Sequence, residues 1–172
     1  MAQRKRESGG SASELTRLSL LTAMALIIFI VEQQVPFPLP IPGAKLGLAN
    51  IITVYAVNRC RSGGVLLLVL ARIFLGSLFG GAFLSPAMIF SLAGGLLCLA
   101  GMLPLRKILD EKHIWLGSIF GAVLHNTGQI IAAVFVMKTA AVIGYYPFLL
   151  VIGCIAGAFT GLTAQIIINR LK

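Results

Sequence analysis

An arginine in the middle of an apolar run is the costliest residue a membrane helix can carry, and Arg72 occupies that place between Gly63 and Gly81. Inserting it costs about 2.5–3.5 kcal/mol, so its guanidinium must face the protein interior and meet an anion. Glu32, the one acid outside the basic segments, could be that anion and would make Arg72 structural, as would backbone carbonyls. An anionic ligand is the other partner. A second cluster, His125-Asn126-Thr127-Gly128-Gln129, lies in the middle of another apolar run. His125 and Gln129 are four residues apart and share a helix face, as do Asn126 and Gln129 at a spacing of three. One such residue would read as an interhelical clamp. Three together point to a polar cavity, with Gly121 and Gly128 leaving room beside them. Asn50 and Lys45 form the third element, and Lys45 is placed to meet either an entering anion or a lipid phosphate.

Catalysis finds little to work with. The acids are Glu7, Glu14, Glu32, Asp110 and Glu111, and no acidic pair is spaced to hold Mg²⁺ and a diphosphate. GxSxG, HExxH and P-loop patterns are absent. Cys60, Cys98 and Cys154 are far apart and show no metal-ligand spacing. Cys98 and Cys154 fall in apolar runs, as small packing residues do. Neither a metal nor a cofactor is expected.

These residues are carried by a chain of 172 residues that is 58% hydrophobic and only 11% charged, with a mean hydropathy of +0.98. A soluble domain carries about a quarter charged residues, so the expectation is an all-α integral membrane protein. The net charge of +9 falls in short clusters between apolar runs, which marks membrane topology and contact with anionic lipid, not nucleic acid. Residues 1–14 read as a mobile basic tail, and residues 15–172 as one transmembrane domain. Spans are expected at Leu15–Val35, Lys45–Asn58, Gly63–Gly81, Phe83–Leu103, Ile114–Met137 and Tyr146–Asn169, with a charged loop over Pro104–His113. Leu18 to Val31 could serve as the apolar core of a signal peptide, but Glu-Gln-Gln-Val-Pro follows where a small-residue cleavage site would be needed. The run therefore reads as a retained span.

Six spans with both termini in the cytoplasm place Arg4, Lys5, Arg6, Arg17, Arg59, Arg61, Arg106, Lys107, Lys112, Arg170 and Lys172 inside. Only Lys45 and Lys138 remain outside, as the positive-inside rule requires. Between the first two spans, Pro36, Pro38, Pro40 and Pro42 alternate with apolar residues. Proline fixes its own φ and extends its predecessor, so 35–43 should form a stiff, greasy strap across the outer mouth of the bundle. A rigid connector that merely docks is the plainer reading of the same stretch. Ser19 with Ala23, Gly76 with Gly80, Gly94-Gly95, Gly117 with Gly121, and Gly153, Gly157 and Gly161 provide small surfaces on which helices can approach closely.

With Glu32, the Pro-Phe-Pro-Leu-Pro-Ile-Pro-Gly-Ala-Lys-Leu-Gly-Leu-Ala-Asn50 stretch, Arg72, Ser91-Leu-Ala-Gly-Gly95 and His125-Asn-Thr-Gly-Gln129, the chain resembles a bacterial membrane family. Its members are called Gx transporter or heptaprenyl diphosphate synthase component I, and they are similar to the substrate-binding S components of energy-coupling-factor (ECF) transporters. The likeness covers about residues 15–170; Thr127 departs from the isoleucine expected there. It implies a six-helix S-component bundle in the inner (cytoplasmic) membrane, with an outward pocket capped by the loop after the first helix. It also implies a cytoplasmic coupling face near Ser19 and Ala23 for transmembrane and ATPase partner subunits.

The first functional expectation is therefore a non-enzymatic uptake component. It would bind an anionic small molecule through Arg72, His125, Asn126, Gln129, Asn50, Glu32 and Lys45. The alternative is a non-catalytic membrane subunit of heptaprenyl diphosphate synthesis or quinone-linked metabolism, working beside a soluble prenyl synthase. A third reading, a membrane anchor for a redox assembly, would leave the polar cluster purely structural.

Overall fold

The computed structural model describes residues 11–34 and 47–171. The strap at 35–43 and Lys45 lie outside the described residues, as does the tail as far as residue 10. Within them the chain is all helix: α1 (Ser11–Gln34), α2 (Asn50–Arg59), α3 (Ser62–Phe79), α4 (Pro86–Ile108), α5 (Ile114–Met137) and α6 (Tyr146–Arg170). Short 3-10 turns at Glu111–His113 and Ala140–Tyr145 lead into α5 and α6. All but α2 are long and apolar enough to cross a membrane. Their outward faces carry Leu20, Ile27, Leu67, Phe135, Ile155 and Phe159, the surface that lipid tolerates because every backbone group is bonded within its helix.

α2 has 10 residues and so measures about 15 Å, half the hydrocarbon thickness of about 30 Å. It survives by being surrounded. Ile52, Val54, Ala56 and Val57 are buried, packed by α1, α3, α4 and α6. Gly64 abuts Leu18 while Gly76 abuts Phe29, so α1 and α3 run parallel. α2 returns between them from the Glu32 end to the end where Glu14 meets Arg61 at 3.8 Å. Arg17, Arg59, Arg61, Arg106, Lys107, Lys112 and Arg170 all belong to that second end.

Several boundaries differ from the sequence reading: α2 begins at Asn50, not Lys45, and α4 at Pro86, not Phe83. α1 begins at Ser11, so the last residues of the expected tail are already helical. α4 continues through Pro104 to Ile108, so the expected loop at Pro104–His113 is shorter than its composition suggests. Arg106 accounts for the extension. Its guanidinium donates to the carbonyls of Val57 (2.7 Å) and Cys60 (3.2 Å) and to Ser62 Oγ (2.8 Å), which ties the last turn of α4 to the α2–α3 corner.

α5 is packed between α4 and α6 with almost no side chain in the way. A Cβ on Gly128 would lie 2.7 Å from the Ala93 carbonyl oxygen, and one on Gly161 would lie 2.7 Å from Trp115 Cα. Of the small-residue pairs read from the sequence, Ser19, Ala23 and Gly80 are instead exposed. The main apolar core fills the basic end, around Val57, Val65, Leu68, Leu99, Met102 and Ile168. A smaller cluster at the other end joins Ile130 to Leu149. Between them the bundle is hollow.

Candidate functional site

All six helices contribute to a cavity of about 460 Å³, within the range of roughly 300–1,000 Å³ that small-molecule pockets occupy. Glu32, Met137 and Tyr145 stand at its rim, and Met102 and Thr160 at its floor. Tyr145 immediately precedes α6 and Thr160 lies four turns into it, which makes the cavity roughly 20 Å deep at 1.5 Å per residue. The floor is closed by Ser118 and Thr160, whose hydroxyls meet at 3.1 Å, and Thr160 also donates to the Ala156 carbonyl. Cys98 and Met102, with their sulfurs 3.5 Å apart, belong to the same deep, largely apolar wall.

Arg72 projects from the middle of α3 into this wall and is 8% exposed. Its Nη1 donates to Asn50 Oδ1 at 3.1 Å and to Thr53 Oγ1 at 3.2 Å. Both acceptors stand on the first turn of α2, one helical step apart. A guanidinium carries five N–H donors, and among the described residues only Nη1 is engaged. It forms no ion pair among them. Glu32 lies close enough for its charge to act on Arg72, but its Oε1 accepts the backbone N–H of Gly47. That bond fastens the end of α1 to the chain entering α2. Gly47 has φ +71°, the left-handed backbone that glycine adopts without strain.

α5 supplies the opposite wall. Asn126 is buried, and its Nδ2 donates to the Leu149 carbonyl on α6 at 2.6 Å, beside Gly153 where any Cβ would collide with it. So Asn126 clamps α5 to α6 with its amide nitrogen, which leaves Oδ1 as the acceptor available to the cavity. His125 and Gln129 share the wall with it. The room beside them comes from Gly94 on α4, where a Cβ would lie 2.9 Å from Gln129 Cγ and 3.1 Å from His125 Cε1. Gly121 and Gly128, expected to provide that room, instead let α5 press against Met102 and the Ala93–Gly94 backbone. Thr127 points elsewhere: its hydroxyl donates to the Val123 carbonyl and accepts from Tyr146 at 2.8 Å, bracing the start of α6.

Arg72, His125, Asn126, Gln129, Asn50 and Glu32 thus line one cavity; Lys45, the remaining candidate, lies outside the described residues. Thr53, Ser77 and Tyr145 also line it and were not singled out from the sequence, and Ser91, quoted there only within a motif, lines it too. Thr53 was findable, since it stands three residues after Asn50 on the same helix face. Ser77 leaves no such trace, because a hydroxyl is unremarkable in an apolar run. Taken together, the wall presents a charged donor and a carboxylate, with amides and an imidazole opposite, above a floor of Met102 and the mutually bonded hydroxyls of Ser118 and Thr160. Such a site can hold and orient a small polar-headed molecule.

The model of the family described as heptaprenyl diphosphate synthase component I matches residues 21–167. No curated protein matches the chain, and no solved structure does.

Proposed function

The chain belongs to the heptaprenyl diphosphate synthase component I family, and we propose that it acts in the membrane as the binding component of a small-molecule uptake system, similar to an ECF S component. The observation that carries this reading is Arg72, a buried cation whose other N–H donors are unengaged among the described residues, in the wall of a ligand-sized cavity. A guanidinium held there by Asn50 and Thr53 is oriented in advance and can take an anionic group in its remaining fork. Asn126 Oδ1, Gln129 and His125 fix the ligand from the other side. The rim faces the end away from the basic residues, so the site would open outward.

In this reading the chain crosses the membrane six times, with both termini in the cytoplasm. The parallel run of α1 and α3 supports the count, because the chain must return between them. The clustering of arginines at one end supports the orientation. Energy would come from partner ATPase subunits, and Ser19 and Ala23, exposed on α1, would offer a transmembrane partner a small-residue face.

The family's name supports a second reading, a non-catalytic membrane component beside a prenyl synthase. Against its holding the diphosphate itself stands the cavity's charge: one guanidinium, with a carboxylate nearby that would repel a multiply charged group. A purely structural anchor would have no use for a hollow of this size. Co-purification of the full chain from its native membrane separates the readings. ATPase and transmembrane subunits support uptake, whereas a prenyl synthase as the stoichiometric partner would replace it with the second reading.

A further inference from the structure

The cavity wall carries opposite charges. Glu32 and Arg72 are its charged residues among those described, and they face it from α1 and α3 across the Gly47–Asn50 turn. Neither charge is neutralised by direct pairing with the other. Among the described residues Glu32 is bonded through Oε1 to the Gly47 amide, which leaves its second oxygen for a donor. Among the described residues Arg72 is bonded through Nη1 to Asn50 and Thr53, which leaves its remaining N–H groups for an acceptor. A simple anion placed on Arg72 would sit within reach of the Glu32 charge, in a medium that screens far less than water. It would also leave the buried site with a net negative charge. A ligand with its own cation would bring no net charge, and its cation would meet Glu32. Below this pair the wall is mostly apolar, through Val54, Cys98, Met102, Ala122 and Ala156, and the floor hydroxyls of Ser118 and Thr160 are bonded to each other.

Resting on the uptake reading above, we propose that the ligand is a zwitterion on an apolar frame, an amino acid or amino-acid-like compound. Its acid lies on Arg72, its protonated amine on Glu32, and its apolar part points to the floor.

The test uses the full chain purified in detergent, with binding read by calorimetry. The probes are L-leucine, L-phenylalanine and L-tryptophan, with the N-acetyl form (anion) and methyl ester (cation) of each. Zwitterions should bind about tenfold or more tighter than either single-charge form, and Glu32→Gln should erase their advantage over the N-acetyl anions. Native mass spectrometry of the same preparation should find any retained molecule to carry both an amine and an acid. N-acetyl anions that bind as well as the zwitterions, or a retained acid without an amine, would overturn the zwitterion and leave the uptake reading intact. If no probe binds and nothing is retained, the zwitterion fails, and co-purification alone decides the uptake reading.

Discussion

Replacing Arg72 by methionine separates a binding arginine from a structural one, because the two roles predict opposite pairs of results. In the free protein the substitution removes hydrogen bonds to Asn50 and Thr53, and bonds to a charged group contribute about 1.5–3 kcal/mol each. It also removes a buried charge whose insertion costs about 2.5–3.5 kcal/mol. These effects largely offset, so thermal unfolding, followed through the single Trp115, should shift by only a few degrees. Ligand affinity has no such compensation. An anion about 4 Å from the guanidinium at an effective dielectric near 20 gains about 4 kcal/mol. At about 1.4 kcal/mol per decade, its loss weakens binding on the order of a thousandfold. Arg72→Lys should fall between, near tenfold, because one ammonium cannot hold Asn50, Thr53 and a ligand in a fixed fork. The assay is titration of the full chain with the molecule retained in native mass spectrometry. A methionine variant that unfolds easily yet binds within threefold of the parent would refute the reasoning, because Arg72 would then be a clamp.

Further expectations can be checked alongside. Gly161→Ala drives a methyl to 2.7 Å from the backbone of Trp115 and should cost about 1–3 kcal/mol through overpacking; Gly63→Ala, open on all sides, should be neutral or stabilising by about 0.5–1 kcal/mol. Differential scanning of the two proteins decides it. In a background lacking native cysteines, Lys138→Cys should react in intact cells with a membrane-impermeant maleimide while Lys107→Cys should not; the reverse pattern would invert the topology. At the α2–α3 corner, burial pushes the Cys60 thiol above its ordinary pKa, with Arg17 opposing the shift. A raised pKa means less thiolate at a given pH, so alkylation of Cys60, with Cys98 and Cys154 replaced by serine, should lag behind free cysteine at pH 8 and catch up only as pH rises through the shifted value.

The long helices were legible because lipid leaves so few solutions. α5 runs from Ile114 to Met137 as its apolar run does, and the brevity of α2 was visible in the polar residues that bracket it. Pro104 misled in the other direction. Proline removes one helical hydrogen bond, but the turn that follows is held by Arg106 on carbonyls more than forty residues away, a tertiary bond that no local pattern encodes. The site was readable for a related reason. Arg72, His125, Asn126 and Gln129 are expensive in a bilayer, so their types alone predict that they turn inward. Which glycine made space for them was not readable, because Gly94 and Gly128 look alike in sequence and differ only in what stands opposite. Ser77 escaped because a hydroxyl group carries little penalty in a helix and so announces nothing.

The bond between Glu32 and the Gly47 amide has a consequence for how such a chain can diversify. It pins both feet of the intervening segment to the bundle, so whatever joins them begins and ends at the same two points. Closing a flexible loop costs only about 0.6 kcal/mol more for each doubling of its length. A relative could therefore carry a segment of different length between these two residues while the helices keep their arrangement.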